Sequence, residues 1–410
     1  MIYRFLFAVL LTFPLLTLAN TENNFLVISD IHLDVNSSHA MEISPQRGNI
    51  ANDLDLTTFK ALMAKIHDSI AAGKISKPQF VLLLGDIVGH IRIGADSVIT
   101  SESKVFNELK SNFPNIPIFY TFGNNDSLAS NYGPFKDRTK SPYTSAYDVA
   151  KQAANWSDGF LSTGVLCEQS PKTFPCLISE NTNSGYYDAY IQLSFRLISL
   201  NTVMFSRHSN PSPEEAKQEL QWLETQLKVA TTNHETVLIT MHIPFGNNVY
   251  DHTNFWNPTY QTTFLQLLKT YKESIVGVLA AHTHNDELKI IKDATGNTIT
   301  GIYLTAALST SHGNAPSVKT FYFAKSKNSQ WQITNYKSFY FSMNNNHLDL
   351  TKLYDYQGEY CPFVAVDLYA CLDNVTINQL HKYYTAGNKN NVGMMSSPED
   401  MVFKIPNTPQ

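Results

Sequence analysis

The chain has 410 residues, of which 43% are hydrophobic and 16% are charged, a composition typical of a globular protein rather than a disordered or fibrous one. Thirty Lys and Arg residues against 35 Asp and Glu residues give a formal charge of −5, which argues against the basic surface needed to bind nucleic acid or an anionic membrane. The length allows two or three domains, or one large domain with a small appendage.

The first 19 residues have the pattern of a secretory signal peptide. One early cation, Arg4, precedes a largely apolar stretch that ends at the small residue Ala19. An uncleaved membrane anchor is the alternative, but a span needs about 20 apolar residues, and Pro14 disfavours a helix there. We expect cleavage after Ala19, no stable membrane insertion, and an exported protein, secreted or periplasmic, or lysosomal if the host is eukaryotic.

The body of the chain alternates short apolar runs with amphipathic helical patterns. One helix is predicted where apolar residues from Leu56 to Ile70 recur at helical spacing before Gly73. Another begins with Ser212 as N-cap and Pro213 at its first position. This order predicts a layered α/β protein with mixed sheets. Strands are predicted at 25–29, 80–84, 116–122, 236–241 and 277–281, twice within 186–202, and at 301–306, 320–324 and 331–336.

The character of the sequence changes near residue 342. Three consecutive asparagines from Asn344 are followed by a Tyr-rich piece with one helical pattern near 376–384. We therefore predict a signal peptide at 1–19, a main domain at 20–342 and a small C-terminal subdomain at 343–410.

The four cysteines fall into two close pairs. In an oxidising compartment the simplest connectivity joins Cys167 to Cys176 and Cys361 to Cys371, although four cysteines allow three pairings. A zinc site is the alternative, but neither pair has Cys-x-x-Cys spacing and no His adjoins either pair.

Five apolar runs are each followed directly by side chains that commonly bind metals. Loops at the carboxyl ends of strands in an α/β sheet converge on one crevice, so these groups can meet although they are far apart in sequence. Each fragment alone is typical of a turn, but five of them indicate a shared site. The residues are Asp30 and His32; Asp86; Asn124, Asn125 and Asp126; His242; and His282 and His284.

This order of motifs resembles the calcineurin-like metallophosphoesterases over most of residues 25–325. Within that superfamily the chain is most similar to the acid sphingomyelinase-like phosphodiesterases. The resemblance implies two mixed sheets packed as a sandwich and flanked by helices, with 20–342 as the catalytic domain. The similar sequences include GDIVGH at 85–90, SGYYDAY at 184–190, MHIPFG at 241–246, AAHTHNDE at 280–287 and LTAALSTSHGNAPS at 304–317.

The resemblance also implies a ligand set for two divalent cations. Oxygen and imidazole ligands suit zinc, which we expect, and also manganese or iron. Such a pair activates a bridging hydroxide for attack on phosphorus, so no protein nucleophile is needed. The implied ligands are Asp30, His32 and His284 for one metal, Asn124, His242 and His282 for the other, and Asp86 between them.

Two positions bear on proton transfer. Asn125 stands where many family members have His, and its amide can bond a phosphoryl oxygen but cannot donate a proton as an imidazolium does. His90 lies four residues after Asp86 and matches a second active-site His of the branch. We hypothesise that His90 protonates the leaving group while Asn125 positions the phosphate. The alternative is that His90 is an outer or surface residue.

Several other residues are candidates for substrate binding. His312, in the sequence Ser-His-Gly-Asn, and His208 are candidates for the rim of the pocket. The loop aromatics Tyr132, Phe245 and Trp256 are candidates for stacking on a base or covering a lipid head group.

Together with the signal peptide pattern, the resemblance implies an exported phosphoesterase that cleaves phosphodiester or phosphoanhydride bonds of small soluble substrates. Nucleotides are favoured over sphingomyelin, because the lipid-presenting module of the true sphingomyelinases is not expected in the few residues between the signal peptide and the first strand. A sphingomyelin or phospholipid phosphodiesterase, an endopolyphosphatase and a phosphatase acting on monoesters are alternatives. A binding protein that lost activity through Asn125 is an alternative of another class.

Overall fold

A computed structural model of the chain describes residues 22–36, 53–90, 95–127, 131–135, 146–153, 156–208, 213–310, 314–344, 347–361, 367–382 and 398–404. The predicted signal peptide, Ser212 and His312 lie outside these ranges. The helices are α1 Leu56–Ala71, α2 Ala95–Asn112, α3 Ala146–Ala153, α4 Pro213–Thr232, α5 Pro258–Thr270, α6 Tyr356–Tyr360 and α7 Ile377–Lys382. The strands are β1 Asn23–Ile28, β2 Val81–Leu83, β3 Ile118–Tyr120, β4 Cys176–Asn181, β5 Tyr186–Gln192, β6 Phe195–Ser199, β7 Thr236–Thr240, β8 Ile275–Ala280, β9 Leu288–Lys292, β10 Thr298–Leu304, β11 Ser317–Lys325, β12 Trp331–Asn344, β13 His347–Asp355 and β14 Val402–Lys404.

These strands form two mixed sheets. The first has the order β13-β12-β11-β1-β2-β3, in which β1, β2 and β3 are parallel and β11 runs antiparallel to β1. The second has the order β14-β9-β10-β8-β7-β6-β5-β4, with β6, β7, β8 and β10 parallel. Because parallel strands end at one edge of a sheet, the loops after β1, β2, β3, β7 and β8 can approach one another.

The two sheets pack face to face, as alternating side chains on the central strands show. On β7, Leu238 belongs to the core between the sheets, whereas Val237 and Ile239 face the cluster formed with α4 and α5. Rings meet across the gap, with the centroids of Phe195 and Phe323 5.5 Å apart. The predicted α/β sandwich of two mixed sheets is therefore confirmed.

The two helices predicted from sequence are present. Helix α1 buries Phe59, Leu62 and Ile66, and the side chain of Asp55 caps its first turn. Gly73, predicted to end this helix, has φ of +72°, a conformation that glycine adopts without steric cost. Helix α4 places Leu223 and the rest of its apolar stripe in the core.

The C-terminal strands belong to the two main sheets. Strand β12 runs through residue 342, β13 pairs with it antiparallel, and β14 pairs in parallel with β9 at the edge of the second sheet. The division into domains at 342/343 stays a prediction.

Both cysteine pairs are bonded, at S–S distances of 2.11 Å for Cys167 and Cys176 and 2.08 Å for Cys361 and Cys371. This is the simpler of the pairings that the sequence allowed. None of the helices in the described ranges is both long enough and apolar enough to cross a membrane.

Candidate metal centre

Five predicted ligands share an unusual backbone conformation just after their strands. Asp30 and His32 both have φ of +47°, Asp86 has +52°, His282 has +75° and His284 has +64°. They account for five of the eleven non-glycine residues with positive φ in the described part of the chain. Non-glycine side chains rarely adopt this conformation, and it persists where surrounding structure enforces it, often at functional sites.

The loops after β2 and β3 touch through two glycines. A Cβ on Gly85 would lie 2.5 Å from the backbone nitrogen of Gly123, and a Cβ on Gly123 would lie 2.2 Å from Oδ1 of Asp86. The carboxylate of Asp126 accepts hydrogen bonds from the backbone N–H groups of Asp86, Ile87 and Gly123 at 2.8, 2.9 and 2.7 Å. The Gly-Asp and Gly-Asn-Asn-Asp motifs therefore hold each other in place.

Asp30, His32 and His284 form a first donor group. The Nε2 atoms of His32 and His284 lie 3.0 Å apart, and Oδ1 of Asp30 lies 3.9 and 3.5 Å from them. All three residues are buried. Their ligand atoms are close enough to share one cation.

Asp86, His242 and His282 form a second donor group, which Asn124 adjoins. Oδ2 of Asp86 lies 3.3 Å from Nε2 of His242, and Oδ1 of Asn124 lies 3.1 Å from the same nitrogen. Nδ1 of His242 donates to the carbonyl of Leu84 at 2.6 Å, which turns Nε2 toward the group.

Asp86 lies between the two donor groups. Its Oδ2 faces Nε2 of His32 at 3.7 Å as well as Nε2 of His242 at 3.3 Å. Asn125 donates its backbone N–H to Oδ1 at 2.7 Å and its side-chain amide to Oδ2 at 2.8 Å. Asn125 thus fixes the carboxylate that both groups share.

A buried carboxylate oxygen of Asp30 indicates that a cation fits this cluster. Oδ1 of Asp30 is buried and accepts no hydrogen bond from any residue in the described ranges. It faces the Nε2 atoms of His32, His242 and His284 at 3.9, 3.9 and 3.5 Å. A buried carboxylate oxygen without a donor is unfavourable by about 1 to 3 kcal/mol or more, and a bound cation would remove that cost. The donor types also suit divalent metals.

Burial and close contact also shift the pKa values of these groups. Burial raises the pKa of Asp30 to about 7 and lowers the pKa of His32 to about 4. Burial also opposes charge on His242, but the carboxylates of Asp86 and Asp30 outweigh it and raise its pKa to about 9. Burial likewise opposes charge on Asp86, yet the facing imidazoles, His242 foremost, keep its pKa well below the usual range. The cluster is therefore a set of buried carboxylates and imidazoles that compete for protons.

His90 lies against the first donor group, and we call His90 and Asp53 the His90 flank. The His90 ring stacks on that of His32, with centroids 4.2 Å apart and planes 14° apart. Nδ1 of His90 donates to Oδ1 of Asp53 at 2.7 Å, and the backbone N–H donates to Oδ2 at 2.6 Å. Burial lowers the pKa of His90, but the hydrogen bond and charge of Asp53 outweigh it, so the net shift is upward.

No motif in the sequence marks Asp53 as a residue of the site. It lies in Asp53-Leu54-Asp55, where an acidic residue before a helix is expected to cap it, and Asp55 does so. Only the folded structure distinguishes the two carboxylates, because Asp53 meets His90 across 37 positions of sequence.

On the other side, the rings of Tyr132 and Phe255 lie near His282, and His208 lies against Tyr132; we call these three residues the aromatic flank. Oη of Tyr132 is 3.3 Å from Nε2 of His282. Ring centroids are 5.2 Å apart for Tyr132 and His208 and 5.6 Å apart for Phe255 and His282. Tyr132 and Phe255 are half-buried and His208 is exposed.

Two of the aromatic residues predicted as binding candidates are in the core instead. Phe245 and Trp256 are fully buried, and their ring centroids lie 5.8 Å apart. The prediction that they stack on a ligand is wrong, because the loop that carries them folds its apolar side chains against α5. Phe255, which sequence analysis passed over, faces the site.

Comparison with known proteins identifies the family. Residues 24–286 match the calcineurin-like phosphoesterase family. The chain is 24% identical to cyclic GMP-AMP phosphodiesterase SMPDL3A of Rattus norvegicus over 72% of this chain and 66% of that protein. It is 28% identical to sphingomyelinase phosphodiesterase C of Dictyostelium discoideum over 65% of this chain and 55% of that protein. The alignments therefore span less than two thirds of these relatives.

Among solved structures, a dimetal phosphatase from Danio rerio aligns with 78% of this chain and 96% of its own, at 14% identity and a TM-score of 0.45. That superposition is too loose for a comparison of individual residues. The family match covers more than half of the chain, and the predicted resemblance is confirmed. The chain belongs to the calcineurin-like phosphoesterases, a family in which a dinuclear metal site is expected.

Proposed function

We propose that the protein is an exported, metal-dependent phosphodiesterase that hydrolyses phosphodiester or phosphoanhydride bonds of small soluble substrates, with nucleotides favoured. The observation that carries this proposal is the arrangement of two donor groups around shared carboxylates. Oδ2 of Asp86 faces both groups, and Oδ1 of Asp30 faces imidazoles from both without a hydrogen-bond donor from the described residues.

In this proposal each donor group would hold one divalent cation, and Asp86 would be the carboxylate available to both. When bound, two such cations lower the pKa of a water molecule and neutralise charge on the phosphoryl oxygens. Zinc is favoured and manganese or iron are alternatives, since oxygen and imidazole ligands suit all three. The proposed ligands are Asp30, His32 and His284 for one cation and Asn124, His242 and His282 for the other.

The chain's own groups then orient the substrate and move the proton. Asp53 holds Nδ1 of His90, so Nε2 remains as the atom that gives a proton to the leaving oxygen. Asn125 keeps both oxygens of Asp86 fixed through its two donated hydrogen bonds. We also propose that the Asn125 amide bonds a phosphoryl oxygen and so positions the phosphate.

The substrate class and the location are supported by separate observations. A relative named as a cyclic GMP-AMP phosphodiesterase favours a nucleotide diester. A relative named as a sphingomyelinase phosphodiesterase makes sphingomyelin the second candidate. Two disulfides favour an oxidising compartment, so we propose a secreted or periplasmic protein, or a lysosomal one in a eukaryote.

A substrate panel tests this proposal. The protein loaded with zinc or with manganese is assayed on a dinucleotide, a nucleoside diphosphate, glycerophosphocholine, sphingomyelin in detergent and polyphosphate. We expect turnover of the nucleotides, lost when chelator removes the metals. Two bound metals without turnover of any substrate would instead support the inactive binding protein that Asn125 suggested.

A further inference from the structure

The second donor group is less buried than the first, and its partly exposed member, His282, adjoins the aromatic flank. Asp30, His32, His242 and His284 are buried, whereas His282 is partly exposed. A substrate that approaches the second donor group from this side passes the three rings of the aromatic flank. Those rings are therefore in a position to contact whatever is attached to the phosphate.

Tyr132 is held in place beside His282 by backbone and side-chain contacts. Its backbone N–H donates to the carbonyl of Asn124 at 2.9 Å, and the side chain of Asn124 donates to Asn131 at 2.8 Å. Tyr132 also has φ of +56°, which a tyrosine adopts only where its surroundings enforce it. The proposed metal ligand Asn124 thus holds both Asn131 and Tyr132.

Phe255 is fixed by different contacts. Its carbonyl accepts a hydrogen bond from the backbone N–H of Arg207 at 3.2 Å, and its own N–H donates to the carbonyl of Gly246 at 3.0 Å. The rings of Phe255 and Tyr132 both pack on the cluster beneath α4 and α5. Rings that are ordered before a ligand arrives lose little conformational entropy on binding it.

We infer that Tyr132, His208 and Phe255 form a subsite for a planar aromatic group attached to the phosphate, which in a nucleotide is the base. The inference rests on the proposed function for the position of the phosphate. Each ring offers a face or an edge to a flat, neutral ligand, and stacking tolerates any of the bases because every base has a π face.

A quaternary ammonium such as choline is the other ligand that aromatic rings bind, and local charge disfavours it here. Nζ of Lys289 already lies 5.7 Å from the centroid of Phe255. Lys289 is held there by Glu287 at 3.5 Å and by the carbonyl of Asn247 at 2.7 Å, so a cation already occupies the surroundings of this ring. An ammonium would have to share that ring with Lys289, whereas a neutral base would not.

Ligand binding to the metal-loaded protein tests the subsite without relying on turnover. Isothermal titration compares adenosine 5′-monophosphate with inorganic phosphate for wild type, Tyr132→Ala and Tyr132→Phe. Stacking on one ring is worth about 1 to 3 kcal/mol, so we expect Tyr132→Ala to weaken nucleotide binding by about 5-fold or more and phosphate binding by less than about 2-fold. Tyr132→Phe keeps the ring and should bind the nucleotide nearly as well as wild type.

A matched control is Tyr369→Ala, which removes a half-exposed tyrosine that donates to Thr298 at the start of β10, away from the strand ends that carry the site. It should bind both ligands as wild type does. Equal weakening of nucleotide and phosphate in Tyr132→Ala would overturn the inference, as would no weakening of either.

Hydrolysis measured on the same samples separates this inference from the proposed function. Ring-dependent nucleotide binding without hydrolysis of any diester or phosphoanhydride supports the subsite and overturns the proposed function. Hydrolysis of a dinucleotide and of glycerophosphocholine that falls equally in Tyr132→Ala, or does not fall, overturns the subsite and leaves the proposed function standing.

Discussion

The His90 flank and the aromatic flank lie against the two donor groups of one centre, but they are built differently. His90 is held by two hydrogen bonds to a carboxylate and stacks on His32. Tyr132 and Phe255 are held by backbone hydrogen bonds and apolar packing, and contact His282. The first construction suits movement of a proton, and the second suits recognition of a flat surface.

This difference assigns separate kinetic effects to the two flanks. Changes in the His90 flank should lower kcat most for substrates with poor leaving groups, because these substrates depend on proton donation in the transition state. Changes in the aromatic flank should mainly raise KM for substrates that carry a base. The carboxylates of Asp30 and Asp86 should be needed for both kcat and KM, since both donor groups share them.

The largest effect is expected from Asp86→Asn, because neither flank can act without the centre between them. Loss of the shared charge should remove several kcal/mol of transition-state stabilisation. We therefore expect kcat to fall by about 10³-fold or more. Steady-state hydrolysis and elemental analysis of bound metal measure this. Asp293→Asn, in the exposed turn before β10, is the matched control. Unchanged kcat with two bound metals would show that Asp86 is not shared.

His90→Ala is expected to cost about 10² to 10⁴-fold in kcat for substrates with alkoxide leaving groups. Nitrophenyl diesters should be far less affected, because a good leaving group needs no proton. His67→Ala, an exposed histidine on α1, is the control. An equal loss on both kinds of substrate would mean that His90 supports the metal centre rather than donating a proton.

Asp53→Asn should reduce kcat for alkoxide leaving groups by about 10-fold, since His90 stays but loses its charged partner. Asp53 raises the pKa of His90, and a general acid works only while protonated. Removing the charge should therefore move the alkaline limb of the pH profile to lower pH. A limb that stays in place or moves upward would contradict the role given to Asp53.

The smallest effect is the coupling between the flanks. The double variant Asp53→Asn with Tyr132→Ala should show losses in kcat/KM on a dinucleotide that add within about 0.5 kcal/mol, because the two residues share no partner. A coupling well above about 1 kcal/mol would show that the flanks act as one unit.

The sequence was sufficient to predict the class of fold and which side chains the fold brings together. His242 and the other proposed ligands each follow one of the predicted strands, at the carboxyl ends of β1, β2 and β3 in the first sheet and of β7 and β8 in the second. That these side chains bind metal stays a prediction. The stripe on α4 was equally clear, because its apolar residues repeat at helical spacing.

Other features depend on contacts between distant residues and left no local pattern. Asp53 and Asp55 are equivalent as helix-start residues, and only the fold brings one of them to His90. Phe255 and Trp256 are adjacent in sequence, yet Phe255 faces the centre and Trp256 is buried in the core. The spacing of apolar residues in the sequence did not indicate which of the two would face the site. Strand β14 is only three residues long, and its pairing with β9 is set by the rest of the second sheet.

The central claim is that the two donor groups hold two cations which the reaction requires. The most direct test is a titration of metal-free protein with zinc, and separately with manganese, in which bound metal is measured by elemental analysis and dinucleotide hydrolysis is followed in the same samples. We predict that hydrolysis appears in step with binding and reaches its maximum at two equivalents per chain. Full hydrolysis in the metal-free protein, or saturation of binding at one equivalent, would contradict the account.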